Sequence, residues 1–292
     1  MEKHKKCLVC EEDRLIPLKG YYDKHGLVKC SSCNFVFMER IPSLQELNDY
    51  YSSYSYDSVQ SLSAITVKRY EELLDEFEKY RKTNKILDVG CGRGWFLIEA
   101  KKRGWEVYGT EFSELAIKLC TEKGINMTEG ILDSSKFDTK DFDVITSFEV
   151  IEHINNPNQE LEAIYNLLRK DGLFYVTTPN FNSLMRYYLK ADYNVISYPE
   201  HLSYYTKSTL NFVAKRHSFL PIKFQSTGIS VTRLNASKNQ EEENSVIKED
   251  SDEALRKKIE SKWYLGAAKT ILNKLLTITN SGLTLKGYYT KI

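Results

Sequence analysis

The chain has 292 residues, of which 28% are charged and 41% hydrophobic, with a formal net charge of +1. That length and balance allow a sizeable buried core and exclude a disordered or collagen-like chain. Near-neutrality argues against a dedicated nucleic-acid binder, which would carry a basic excess or stripe. No apolar run reaches the ~20 residues of a bilayer span, and the start, MEKHKKCLVCEEDR, lacks the apolar core of a signal peptide. The expectation is a cytoplasmic protein with reduced thiols.

In chain order, residues 1–42 read as a small metal-binding module. Cys7, Cys10, Cys30 and Cys33 follow the spacing Cys-x2-Cys-x19-Cys-x2-Cys, which fits a zinc-ribbon-like site. Four thiolates so spaced can close a tetrahedral structural Zn²⁺ site with no open position. Two disulfides, or four unrelated thiols, are the alternative, and a reducing compartment favours the metal. So short a segment cannot bury a core of its own, and two short hairpins pinned by the metal are expected. Residues 43–82 form a linker with the tyrosine-rich run YYSSYSYDS. Tyr50, Tyr51, Tyr54 and Tyr56 suit either a lid or a packing seam. A helix is expected from about Ser61 to Arg81, where apolar residues recur every three or four positions.

Residues 83–234 alternate strands and helices. KILDVG (85–90), EVYGTE (106–111), NMTEG (126–130), FDVITSF (142–148), LFYVTTP (173–179) and PIKFQSTG (221–228) read as strands. Helices lie between most of them, one of them starting at Ser113 as its N-cap. This order implies right-handed crossovers, hence an α/β fold with a doubly wound, largely parallel, Rossmann-like sheet. Residues 235–280 read as an acidic loop (235–253) followed by a basic amphipathic helix, 255–276. Leu255, Ile259, Trp263, Ile271, Leu272 and Leu275 lie on its apolar side, so it suits membrane-surface docking or a lid packed on the domain. Residues 281–292 read as a terminal strand of the core sheet.

The chemistry concentrates where KILDVG turns through GCGRG into a helix. Gly90, Gly92 and Gly94 let the backbone turn sharply and approach a ligand, and the helix N-terminus behind them suits a carboxylate or phosphate. A dinucleotide fingerprint would need a third glycine where Trp95 stands. The loop fits the methionine part of S-adenosylmethionine (SAM) better. Glu111 ends the next strand, where a carboxylate can accept both ribose hydroxyls, and Asp88 can order the loop and the ligand's amino group. Two histidine patches can supply a base near neutral pH: Glu149-Val-Ile-Glu152-His153 after FDVITSF, and Tyr198-Pro-Glu200-His201 after LFYVTTP, with Tyr198 and Glu200 placed to orient His201.

These segments resemble the class I SAM-dependent methyltransferases. ILDVGCGRG, VYGTEFSELAI, FDVITSFEVIEHINNP and LLRKDGLFYVTTPN stand in the order of that family's motifs, over residues 60–230 and the last strand. The resemblance implies SAM as cofactor and Asp88, Gly90, Gly92, Gly94, Glu111, Phe112, Ile131 and Phe148 as its contacts. Ile131 would flank the adenine, although the family's usual acidic residue is missing there, and Phe148 would lie near the transferred methyl. A zinc module, a tyrosine segment and a SAM domain in that order resemble a narrower group, the sugar C-methyltransferases of nucleotide-linked deoxysugars. In that group a tyrosine, a glutamate and a histidine surround the acceptor, which implies roles for Tyr198, Glu200 and His201. The expected partner is a small-molecule or glycan acceptor. The competing readings are an RNA methyltransferase gripping nucleic acid with the zinc module, and a non-catalytic zinc-containing SAM-binding scaffold. Against the first, the lysines of the module are offset by Glu2, Glu11, Glu12, Asp13 and Asp23.

Overall fold

The computed structural model describes residues 2–52, 62–229 and 263–292. Tyr54 and Tyr56, the acidic loop 235–253, and Leu255 and Ile259 of the expected helix lie outside these.

The central sheet has seven strands: β4 (Lys85–Val89), β5 (Glu106–Glu111), β6 (Asn126–Glu129), β7 (Phe142–Phe148), β8 (Leu168–Pro179), β10 (Phe219–Thr227) and β11 (Thr284–Lys291). Their spatial order is β10-β11-β8-β7-β4-β5-β6. The five strands from β8 to β6 are parallel, and β11 enters antiparallel between β8 and β10. The expected doubly wound α/β sheet is present. The direction of winding reverses at β4, which has β5 on one side and β7 on the other. Ligands of such sheets bind outside the carboxyl ends of the strands at that switch.

Successive strand residues point to opposite faces, and both faces are buried. Leu87, Ile145, Phe174 and Tyr289 join one core cluster, while Ile86, Val144, Tyr175 and Tyr288 join the other. The first face is covered by α6 (Pro157–Leu167) and α8 (Lys207–Arg216). The second is covered by α3 (Ala64–Phe77) and α4 (Trp95–Lys102). Three helix starts are capped by side chains, and the cap expected at Ser113 is among them. Ser63 caps α3, and Ser113 caps α5 (Glu114–Glu122). Asn156 caps α6, which opens on Pro157. At the amino end of β7, buried Asp143 fixes the entry to the sheet. Its Oδ2 accepts from the backbone N–H of Lys82, Thr83 and Asn84 at 2.7–2.8 Å, and its Oδ1 pairs with Arg169 at 2.5 Å.

The amino-terminal module differs from the expected pair of hairpins. β1 (Leu15–Pro17), β2 (Leu27–Cys30) and β3 (Val36–Met38), with one helical turn α1 (Tyr22–His25), form an antiparallel meander. β9 (Ser203–Tyr204), which comes after β8 in the sequence, extends this meander by pairing with β3. Val9, Val28, Phe35 and Phe37 pack into the same core cluster as Leu87 and Tyr205. The segment is too small to close a core, so it borrows one. Next to it, α2 (Leu44–Ser52) carries Tyr50 and Tyr51. Between β8 and β9 lies α7 (Leu184–Leu189), and before β11 lies α9 (Trp263–Thr279). Among the described residues no helix is long and apolar enough to cross a membrane.

Candidate active site

The glycine loop leaves β4 at the switch point. Gly90, Gly92 and Gly94 have φ of 63°, 53° and 69°, the left-handed region that side chains with a Cβ avoid. Two of them are also sterically closed. A Cβ on Gly90 would lie 2.8 Å from Val150, and one on Gly94 would lie 2.6 Å from Ile125 and 2.8 Å from the Cys120 sulfur. Gly92 faces open space, so it is the position where a ligand can meet bare backbone.

The loop is tied to the end of β5. Thr110 Oγ1 accepts from Gly90 N–H at 3.2 Å, and its carbonyl accepts from Cys91 N–H at 2.9 Å. Glu111 Oε2 accepts from Gly92 N–H at 2.9 Å, and Oε1 accepts from Phe112 and Ser113 N–H at 2.8 and 3.2 Å. Three backbone donors thus hold the carboxylate in one orientation, with lone pairs to spare for a diol. Phe112 and Ile131 stand exposed on the rim. Beneath the loop, Asp88 is 3% exposed and accepts from Thr146 Oγ1 at 2.7 Å. Burial, reinforced by the nearby Glu111 charge and opposed by the Thr146 hydrogen bond, pushes its carboxyl up to about 8.

Past Phe148 the chain turns through Glu149, held at φ 53°, and reaches Glu152 and His153. His153 and His201 meet with ring centroids 4.8 Å apart. Each Nδ1 lies 2.6 Å from a backbone carbonyl, that of Glu200 for His153 and that of Val195 for His201. The Nε2 of His153 lies 4.0 Å from Glu152 Oε1. Burial, then the neighbouring His201, pulls His153 down to about 4, so it stays neutral near pH 7. Glu152 is buried beside them. Its Oε2 accepts from Thr178 at 2.9 Å, its Oε1 has no hydrogen-bond partner, and burial holds its carboxyl well above the usual range. Glu152, His153 and His201 bring ligand-type atoms within 4.8 Å of one another.

The two histidine patches therefore converge on one cluster, but not through the contacts expected. Val195, rather than Tyr198 or Glu200, fixes the His201 ring. Tyr198 turns away: its hydroxyl donates to Glu46 on α2 at 3.3 Å, and its ring lies under the Arg40 guanidinium. Glu200 acts on His153 through its carbonyl. In the amino-terminal module the four cysteines come together. The sulfurs of Cys7 and Cys33, and of Cys10 and Cys30, lie 3.5 Å apart, and all four lie within 4.8 Å. Tetrahedral Zn–S bonds of ~2.3 Å place sulfurs about 3.8 Å apart, whereas a disulfide needs about 2.05 Å. All four are free thiols, and their spacing suits a metal.

A family model described as "Methyltransferase domain" matches residues 64–219, from the start of α3 through α8 to the first residue of β10. The chain belongs to that family. Among curated proteins it is similar to the ubiquinone biosynthesis O-methyltransferase of Glaesserella parasuis, 31% identical over 108 residues, which is 33% of this chain and 45% of that protein. The corresponding protein of Actinobacillus pleuropneumoniae is 34% identical over 108 residues, 33% and 46% of the two chains. The match thus spans under half the length of these relatives. Among solved structures, a SAM-dependent methyltransferase from Archaeoglobus fulgidus superposes with a TM-score of 0.51 at 20% identity, over 78% of this chain and 93% of that one. A Pyrococcus horikoshii protein gives 0.52 at 17%, over 84% and 99%. Geranyl diphosphate C-methyltransferase from Streptomyces coelicolor gives 0.51 at 12%, over 78% and 79%. These structures share the fold.

Several residues of this methyltransferase-family site carry no motif of their own. Tyr70 on α3 packs against Phe96 and Phe148, with centroids 5.4 and 6.2 Å away. Burial and the charge of Asp88 push its hydroxyl up to about 12. In sequence it counts only as one more residue of an apolar helix face. Thr146 and Thr178 read as ordinary strand residues, and the carbonyls of Val195 and Glu200 leave no trace in a side-chain pattern.

Proposed function

We propose that this chain transfers a methyl group from SAM to a small-molecule acceptor held at the Glu152–His153–His201 cluster. The observation that carries the reading is the adjacency of two half-sites. The glycine loop, with Glu111 held beside it, is in contact at Gly90 with Val150, two residues before Glu152. Bound SAM would supply an electrophilic methyl on a sulfonium centre. Gly92 and the N-terminus of α4 would receive its methionine part, Asp88 its ammonium group and Glu111 its ribose hydroxyls, with Phe112 and Ile131 flanking the adenine. His201 is the proposed proton acceptor, because burial and the neighbouring His201 pull His153 down to about 4, where it takes up a proton poorly near pH 7. His153 and Glu152 would orient the acceptor so that its nucleophilic atom faces the methyl in line.

A hydroxyl acceptor is the reaction class favoured here, in keeping with the relatives named as O-methyltransferases. A nucleotide-linked sugar is the proposed acceptor, by the resemblance of the cysteine module, tyrosine segment and SAM domain in that order to the sugar C-methyltransferases; here the methyl would go to a hydroxyl rather than to carbon. Structural Zn²⁺ held by Cys7, Cys10, Cys30 and Cys33 would brace β3, and through β3 the strand β9 that follows His201. Calorimetry should show SAM binding, weakened at least about tenfold in Glu111→Ala, which loses charge-assisted contacts. His201→Asn should abolish turnover of nucleotide sugars in a labelled-SAM screen while leaving SAM affinity unchanged. Unchanged SAM binding in Glu111→Ala would overturn the cofactor site, and retained turnover in His201→Asn would overturn the base.

One observation favours a second reading of the same cluster. Glu152 Oε1 is buried without a partner beside two imidazoles whose Nδ1 atoms are engaged by carbonyls, a second shell typical of a metal site. A divalent cation there would lower the pKa of the acceptor's hydroxyl in place of a histidine base. Activity lost to a chelator that leaves the cysteine-bound zinc in place, and restored by Mn²⁺, would decide for it.

A further inference from the structure

Lys286 stands at the same end of the sheet as the candidate site. It lies on β11, and because β11 runs antiparallel its amino end meets the carboxyl ends of β8 and β7. Lys286 is in register with Thr177 of β8, and Thr177 with Phe148 of β7. Residues two apart on a strand share a face. Lys286 therefore lies on the face of Tyr288, Thr177 on that of Tyr175, and Phe148 on that of Val144, which is the face covered by α3 and α4. Asp88, two residues beyond Ile86, lies on it too. The row of Lys286, Thr177 and Phe148 borders the site on the side away from the glycine loop.

Charges of both signs surround this half-buried lysine. Arg69 and Glu76 reach it from α3, Lys223 from β10, and Glu149 from the turn after β7. The Glu76 carboxylate is already engaged: Lys223 Nζ donates to its Oε2 at 2.6 Å, and the Tyr288 hydroxyl donates to it as well. Glu149 is exposed and attracts Lys286 only at longer range. Among the described residues the Lys286 ammonium makes no ion pair and donates no hydrogen bond. Burial, then the Arg69 charge and that of Lys223, hold it below the ordinary lysine value, with Glu76 and Glu149 opposing. Burying an ammonium costs free energy that an arriving anion recovers.

We propose that Lys286 binds a phosphate group of the methyl acceptor and so selects phosphorylated acceptors. This rests on the methyl-transfer reading above and names the part of the acceptor that lies away from the reacting atom. Neighbouring strands are ~4.8 Å apart, so the Lys286 backbone lies about 10 Å from that of Phe148 and about 14 Å from β4. The first distance, less the reach of the lysine side chain, leaves room for one sugar ring between the phosphate and the atom that takes the methyl. The second leaves the carboxylate of SAM, at the N-terminus of α4, to the glycine loop. An ammonium binds phosphate as a point charge. Lys286 and Arg69 bring two positive charges to one wall, against which a doubly charged phosphate gains more than a carboxylate does.

The test is calorimetry of the full chain, with SAM present, titrated with inorganic pyrophosphate and separately with succinate. Pyrophosphate should bind the unaltered chain, at least about tenfold more weakly in Lys286→Met. Lys286→Arg, which keeps the charge, should retain binding, and SAM affinity should be equal in all three. Lys286→Met should melt no lower than the unaltered chain, because it removes a half-buried charge that has no ion pair. A lower melt with unchanged pyrophosphate binding would make the lysine structural and overturn the proposal. So would a chain that binds SAM but not pyrophosphate, and preference for succinate would overturn the phosphate. A chain that binds pyrophosphate through Lys286 but does not bind SAM would keep this site and overturn the methyl-transfer reading instead.

Discussion

Asp88 should make SAM binding a proton-linked reaction. Burial raises its carboxyl to about 8, against 3.8 for an ordinary aspartate. Between those values the folded chain keeps a proton that the unfolded chain has lost. The native state therefore binds more protons, and the contribution of Asp88 to stability falls as pH rises from about 4 to about 8. Near pH 7, with a folded value of about 8, roughly nine molecules in ten carry the proton. An ammonium group brought beside the carboxyl favours the ionised form. Binding near pH 7 should then release about 0.9 proton, and affinity should rise up to about tenfold per pH unit before levelling above about pH 8. Calorimetry in two buffers of different ionisation enthalpy measures the release directly. Asp88→Asn, nearly isosteric and uncharged, should show no such buffer dependence, and its ligand-free form should lose this part of the stability decline. If the unaltered chain binds SAM with the same enthalpy in both buffers, the ammonium does not sit against Asp88 and the reasoning fails.

The remaining predictions concern the scaffold. Metal analysis should find about one zinc per chain, lost in Cys30→Ser. Because the module shares its core with the main sheet, the melting temperature of that variant should fall by at least about 5 °C. A metal-free protein with an unchanged melt would refute the zinc assignment. Asp143→Ala would strand three backbone donors and the Arg169 guanidinium around a buried position. Urea denaturation should show a loss of about 3–5 kcal/mol, and a loss below about 1 kcal/mol would mean that water replaces the carboxylate.

What was legible in the sequence is what neighbours along the chain decide. β7 was readable as FDVITSF because its β-branched and aromatic residues, Phe142, Val144, Ile145, Thr146 and Phe148, favour a strand. Ser113 caps its helix because a short side chain reaches a backbone N–H three residues on. The glycine loop and Glu111 were readable for a similar reason. One crossover separates them, and the loop's backbone demands glycine. The cysteine pairs declare themselves by spacing, since a Cys-x2-Cys turn sets two sulfurs on one side.

Tertiary structure alone decided how distant pieces meet. β9 is two residues long, too short for any periodic signal, yet it joins the amino-terminal meander to the loop that carries His201. His153 and His201 are 48 positions apart in the sequence. What brings them together is the parallel placement of β7 beside β8, and their rings are set by carbonyls that any residue could offer. The direction of α9 was likewise undecided by its pattern. An amphipathic repeat says that a helix has two unlike sides, while the hydrogen bonds of Asn273 to Gly228 and of Thr277 to Ser226 determine which side meets the sheet.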